Sequence, residues 1–250
     1  MSLPRLLTPF AGMTLLVIGW WLLARQIPES ILPGPGPVLN HLVSALSRAT
    51  LWRDTAVTLT NVTASFVIAM TGGTLLGLWA ASSPLVERLL HPVIVIVEAA
   101  PTIAWLVLAI LWLGLGAGPP ILVGVSMALP LIVIATSHGL RQIDAGLMDM
   151  AHVYGLSRWI RLTRILLPSL ALTLAGAASG ALSVAWRGII MAEAFSASQG
   201  LGPSLWGSYL YGEINDVYAV ILWIIVLGLA LEYLLVHPAR QLIRRRLDHE

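Results

Sequence analysis

The sequence contains no cysteine. Disulfides, thiolate metal sites and cysteine nucleophiles are therefore excluded. It contains no lysine either: all 14 basic residues are arginine, a bias without mechanistic weight. Charge of both signs is scarce, at 10% of 250 residues, where soluble domains carry roughly 25%. A water-soluble fold is accordingly not expected. No phosphate loop of the form G-x-x-x-x-G-K-S/T occurs. The six histidines show no metal-ligand spacing. No Ser-His-Asp, zinc or paired-carboxylate constellation supports a membrane-embedded enzyme. Low-complexity tracts are absent, and so are internal repeats with periods of roughly 20–50 residues.

What is present is apolar sequence, 58% of the chain. A helix rises about 1.5 Å per residue and needs roughly 20 apolar residues to cross about 30 Å of hydrocarbon. Runs of that length predict six spans, at about 6 to 25, 58 to 81, 92 to 114, 119 to 139, 166 to 192 and 217 to 238. A cleaved signal peptide behind Arg5 is the other reading of the first run, but WWLLARQIPES lacks a small-x-small cleavage site. The expected fold class is thus an all-α integral membrane protein of about six transmembrane helices. One transmembrane domain over 1–250 is expected, with a core of about 58–238.

Arginine placement sets the expected orientation. With the N-terminus in the cytoplasm, inside segments hold Arg5, Arg88, Arg141, Arg158, Arg161, Arg164, Arg240, Arg244, Arg245 and Arg246, ten in all, and outside segments hold three, Arg25, Arg48 and Arg53. Positive residues stay inside, so both termini are expected in the cytoplasm. QIPESILPGPGPVLNHL is an outer segment turning helical near Val38, and LGAGPP at 115–120 is a tight turn whose prolines start the next helix.

The longest inside loop, about 140–165, contains DMAHVYGLSRWIRLTRILLP at 149–168. LMDMAHVY predicts two helical turns, Gly155 a left-handed end, and Ser157 the cap of a second helix. Arg158, Arg161 and Arg164 recur every three residues beside apolar Trp159, Ile160, Leu162 and Ile165. Pro168 suits the start of a membrane helix. A basic anchor at lipid headgroups accounts for the arginines alone. It does not account for a glycine-broken helix.

The segment resembles the cytoplasmic coupling loop of ABC importer permeases, whose pattern is E-A-A, three residues, G, nine residues, I, one residue, L-P. Here Asp149, Met150, Ala151, Gly155, Ile165, Leu167 and Pro168 keep every spacing, with Asp for Glu and Met for the first Ala. The resemblance implies a type I ABC importer permease fold with a cytoplasmic coupling helix, whose ATPase-coupling residues include His152 and Arg158. It also implies the partners: two ABC ATPase subunits, a second permease copy as a homodimer, an extracytoplasmic solute-binding protein, and lipid. No nucleic-acid partner is implied. No cofactor is expected on this chain; ATP and Mg would bind the ATPase. The implied location is a bacterial cytoplasmic (inner) membrane.

ILPGPGPVLNHL, EAAPTIAWLVLAILWLGLGAG and AWRGIIMAEAFSASQGLGPSLW extend the resemblance to the nitrate, sulfonate and taurine branch of these permeases, through Pro101, Ala104, Trp105, Trp186, Ala192, Glu193, Gly200, Leu201 and Gly202. The branch implies a small, anionic solute; thiamine precursors or bicarbonate are the alternatives within it. A stand-alone secondary transporter is the competing class, but neither inverted repeats nor mid-helix acids of broken helices are evident.

Glu98, Pro101, Trp105, Trp186, Arg187 and Glu193 are the candidate residues of a translocation path. Arg187 has two readings. It faces the path and attracts an anion through its guanidinium fork, or it pairs permanently with Glu98 or Glu193. Pairing is favoured because buried charges are usually paired. For Glu193, capping of the next segment is favoured over gating, since helix ends need partners. Gly73 with Gly77, and Gly176 with Gly180, are small-x-x-x-small pairs suited to close helix approach, within the subunit or across a dimer.

Overall fold

The computed structural model describes residues 3–143 and 145–233, with backbone only at 3–10, 145, 147, 148, 152, 158, 162 and 172. All regular structure among them is helical: α1 Leu3–Ala24, α2 Pro35–Leu46, α3 Ala49–Ser82, α4 Pro84–Ala99, α5 Thr102–Leu113, α6 Gly118–Arg141, α7 Ala145–Val153, α8 Arg158–Arg161, α9 Leu167–Ser196, α10 Leu201–Leu210 and α11 Ile214–Leu231. A π-helical turn, Leu162–Leu166, joins α8 to α9.

Among the described residues, four helices are long and apolar enough to cross a membrane: α3, α6, the Thr173–Ser196 part of α9, and α11. Ala11–Ala24 of α1 is a shorter apolar helix. The expected third span, 92 to 114, is not one helix. α4 and α5 meet at a bend of 99° and count as a fifth span only when taken together. Pro101 causes the break. It offers no N–H to continue the ladder, and it holds Ala100 in extended backbone at φ −69°, ψ 129°. Trp105 Nε1 ties the elbow by donating to the Val97 carbonyl at 3.2 Å. The second expected span begins earlier than its apolar run, because α3 continues outward to Ala49 through residues that pack against α2 and α10. Residues 234–238 of the last expected span, together with Arg240, Arg244, Arg245 and Arg246, lie outside the described residues.

α3, α6 and α9 form the centre. A Cβ on Gly73 would sit 2.8 Å from Ile132 Cβ, and one on Gly77 would sit 2.5 Å from Thr136 Cβ and 2.8 Å from the Val133 carbonyl oxygen. Only glycine permits the α3–α6 approach. Gly124 plays the same part against Ile189 of α9, and Ser65 of α3 donates to the Ile121 carbonyl of α6 at 3.1 Å. Ala128, Ile132, Ala181, Ala185 and Ile189 are fully buried at this seam. By contrast, nothing lies within 4 Å of a Cβ on Gly176 or Gly180. That pair serves no close approach among the described residues.

Glycine also makes the turn before α6, where Gly114 (φ 74°) and Gly116 (φ 137°) take left-handed dihedrals. At the same end of the bundle, α2 is strapped to α11. His41 Nδ1 meets Asp216 Oδ1 at 2.9 Å, and the Tyr218 hydroxyl donates to the Ile31 carbonyl at 3.0 Å.

Candidate functional site

α6 ends at Arg141, which pairs with Glu87 in the first turn of α4. Past Asp144, which is outside the described residues, the chain re-forms as α7. Its end is built by one glycine. Gly155 has φ 63°, the Leu156 N–H donates to the Ala151 carbonyl at 3.0 Å, and the Tyr154 N–H donates to the Met150 carbonyl at 2.9 Å. The Leu156 bond is the one by which a left-handed residue closes a helix and reverses the chain. Ser157 then caps the next helix, its Oγ accepting from the Ile160 N–H at 3.3 Å. Pro168 lacks the N–H that a continuous α-helix would use, and the π turn immediately before it widens the coil past the missing bond.

This helix-turn-helix presents an oily surface. Ala151 is fully buried, whereas Val153, Tyr154 and Trp159 are each more than 70% exposed and Met150 is close to half exposed. Asp149 is also exposed, Ile165 and Pro168 are half-buried, and Leu167 is exposed. The side chains of His152 and Arg158 lie outside the described residues. Large exposed apolar groups clustered beside polar ones mark an interaction surface.

A second set lies on α9. Gly176, Gly180, Ser183, Arg187, Met191 and Phe195 follow one another at three- and four-residue steps, and all are exposed. Arg187 Nε donates to the Ser183 carbonyl at 3.1 Å. The favoured pairing of Arg187 with Glu98 or Glu193 is not formed: among the described residues its guanidinium makes no ion pair. Glu98 sits exposed on α4, and Glu193 is fully buried elsewhere. Trp186 is buried and, with Arg187, Ser183, Ser179, Gly228 and Glu232, lines a cavity of about 300 Å³ between α9 and α11. Glu232 accepts from the Ser179 hydroxyl at 2.9 Å. Trp105 is half-buried at the α4–α5 elbow, and Pro101 is exposed there. The six path candidates therefore do not line one surface. Trp186 and Arg187 share the cavity, while Glu98, Pro101 and Trp105 belong to the elbow.

Glu193 joins three helices. One carboxylate oxygen accepts from Thr58 Oγ1 at 2.7 Å and from the Gly202 N–H at 3.3 Å; the other accepts from Asn61 Nδ2 at 2.8 Å. Thr58 Oγ1 in turn accepts from the Leu201 N–H at 2.9 Å, and Asp54 accepts from the Gly200 N–H at 3.1 Å. The first amides of α10 are thus satisfied by side chains of α3 and α9. Sequence reasoning passed over Asp54, Thr58 and Asn61, as it did Ser183, Met191 and Phe195. The second group was readable as the three- and four-residue steps through Arg187.

Comparison with known proteins places the chain. Residues 73–249 match the family described as binding-protein-dependent transport system inner membrane component. The chain belongs to this family. It is an ABC importer permease, a multi-pass inner-membrane subunit. Among curated relatives, the aliphatic sulfonates transport permease of Escherichia coli K12 is 31% identical, over 85% of this permease and 82% of its own length. The taurine transport system permease of the same strain is 28% identical over 87% and 84%. The glycine betaine/carnitine transport permease of Listeria monocytogenes is 29% identical over 68% of this permease and 64% of its own length. Two solved structures share the fold. The bacterial alginate ABC transporter matches with TM-score 0.63 at 18% identity, over 94% of each chain. An inward-facing methionine ABC transporter matches with TM-score 0.58 at 22% identity, over 84% of this permease and 97% of the other chain.

Proposed function

We propose that this permease imports a small anionic solute, of the sulfonate, taurine or nitrate kind, as the membrane subunit of an ATP-driven complex. Two ATPase subunits supply the energy, and ATP and Mg bind there. A second copy of the permease completes the path, and an extracytoplasmic binding protein delivers the solute. Both termini and α7 lie on the cytoplasmic side. One domain carries these roles.

The α6–α9 loop carries this reading. A helix-turn-helix that exposes Met150 and Val153 on α7, Tyr154 at its end and Trp159 on α8, with its sharp exit set by Gly155, is a docking lever. It needs a partner to cover it, and its rigid caps transmit the partner's movement to α6 and α9. An anionic solute is supported by Arg187. A charge at a helix centre in lipid costs roughly 2.5–3.5 kcal/mol. The Arg187 part of the exposed α9 stripe therefore faces water between two copies, where a guanidinium without an ion pair among the described residues attracts oxyanions and releases them again.

The reading is tested by reconstituting the complex in liposomes and following ATP-dependent uptake of radiolabelled taurine, alkanesulfonate and nitrate, each with its candidate binding protein. Uptake of one of these solutes, each of which presents a sulfonate or nitrate oxyanion group, supports it. Uptake restricted to a cationic or zwitterionic quaternary amine, as the glycine betaine/carnitine relative's name describes, contradicts the anion assignment while leaving the importer assignment in place.

A further inference from the structure

Glu193 is fully buried and serves neither the loop nor the α9 stripe. Its surroundings are nevertheless built around it. A Cβ on Gly200 would lie 2.6 Å from its Oε2, and one on Gly202 would lie 2.6 Å from its Cβ and 2.4 Å from the Ile190 carbonyl oxygen. Both glycines are therefore fixed by the approach of α10 to the last turns of α9. The Thr58 hydroxyl uses its lone pair for the Leu201 N–H and its single proton for Glu193, so it relays the bond between α10 and α9 through α3. The Thr58 hydroxyl, the Asn61 amide and the Gly202 N–H all donate to the carboxylate.

Where this cluster sits in the fold gives it a mechanical consequence. The lever loop joins the ends of α6 and α9 nearest α7. α6 is locked to α3 by the glycine contacts at Gly73 and Gly77. α3 is locked to the far end of α9 by Thr58 and Asn61 bonding to Glu193. The four elements make a closed ring, and the Glu193 cluster is its far corner.

We propose that Glu193 is a positioning residue for transport: together with Thr58, Asn61 and the Gly200–Gly202 amides it latches the outer ends of α3, α9 and α10 into one body, so that movement delivered at α7 reaches the outer mouth. The inference rests on the reading of the chain as an ATPase-coupled permease. Without the latch, α9 pivots at its outer end. ATP is then turned over without opening the mouth.

The absence of cysteine from the chain makes the test clean. Met191→Cys places one thiol on the exposed α9 stripe near that mouth. In proteoliposomes of the permease with its ATPase, a membrane-impermeant charged methanethiosulfonate is added from the side away from the ATPase, with and without ATP and vanadate. In the parent, trapping shifts the population of the open state and so changes the labelling rate, by about tenfold in the expected result. Adding Thr58→Val removes one donor to Glu193 and the acceptor for Leu201; the change then falls below about twofold while ATP hydrolysis continues. Glu193→Gln is the conservative rescue. Its carbonyl keeps Thr58 and Gly202, and its amide donates to Asn61 once that side chain turns over, so the parent response is retained.

A Thr58→Val protein that keeps the parent response overturns the latch. So does a Thr58→Val protein that fails to assemble, since the cluster is then a folding element only, and so does a Gln variant that loses the response. If the parent itself shows no response to nucleotide, the importer reading fails, and the latch fails with it.

Discussion

Arg187 reaches back one turn along α9, and its Nε donates to the Ser183 carbonyl at 3.1 Å. The bond turns the guanidinium along the exposed stripe rather than toward Glu193, whose oxygens are already filled from α3 and α10. Among the described residues no carboxylate pairs with the guanidinium. Arg187→Ala is expected to lower uptake of a sulfonate by about tenfold or more, the scale of one lost charge-assisted bond of roughly 1.5–3 kcal/mol, with assembly unchanged. Arg187→Lys keeps the charge but loses the planar fork, and falls between. Size-exclusion chromatography separates this from a structural role. Loss of the assembled complex in the Ala variant contradicts it.

Gly155 holds φ 63° at the end of α7. A side chain in that region costs roughly 1–2 kcal/mol, and a β-branched one crowds the turn further. Gly155→Val is expected to insert and to keep α6 and α9 but to misdirect the lever, so ATP hydrolysis proceeds while uptake falls. Normal coupled uptake in this variant would sink the lever assignment.

The exposed apolar residues of the loop point to the same conclusion from the partner's side. Tyr154 is 76% exposed and Trp159 71%. Buried aromatic anchors commonly contribute 2 kcal/mol or more, about thirtyfold in affinity, to an interface. Tyr154→Asp with Trp159→Ser is expected to strip the ATPase from the solubilised permease without lowering the yield of folded permease. An unchanged ATPase content after washing argues against this surface.

The two glycine pairs make opposite predictions. Gly77→Ala drives a Cβ to 2.5 Å from Thr136 Cβ and should destabilise the chain itself; overpacking costs typically about 1–3 kcal/mol, seen as a lowered unfolding midpoint in detergent. Gly180→Leu meets nothing within 4 Å of its Cβ. It should leave that midpoint in place and instead weaken association of two copies, measured as a shift from dimer to monomer at fixed detergent. Equal loss of folding stability in both would mean that the α9 stripe is an internal packing face.

Apolar run length located most of the membrane-crossing helices, because the bilayer sets that length directly. Local chemistry located the Gly155 reversal and the Ser157 cap, since both depend on neighbours within a few residues. The elbow at Pro101 was missed although the proline was noted as a signature, because an unbroken apolar run hides a missing N–H. The Glu193 cluster was invisible for another reason. Its partners Thr58 and Asn61 are 135 and 132 residues away in the chain, and a Thr or Asn inside an apolar helix gives no sign of which distant group it will meet. Arg187 misled in the same way, since the sequence offered Glu193 without its commitment to α3 and α10, and Glu98 without its exposed place on α4.

The most direct measurement is the composition of the complex that a tagged permease carries out of its native membrane in mild detergent, read by mass spectrometry. The expectation is an ABC ATPase subunit at one copy per permease, lost when Tyr154 and Trp159 are replaced. A permease that purifies without any ATPase yet moves solute in liposomes would contradict it, leaving the loop as a lipid anchor and the chain as a transporter driven by some other means.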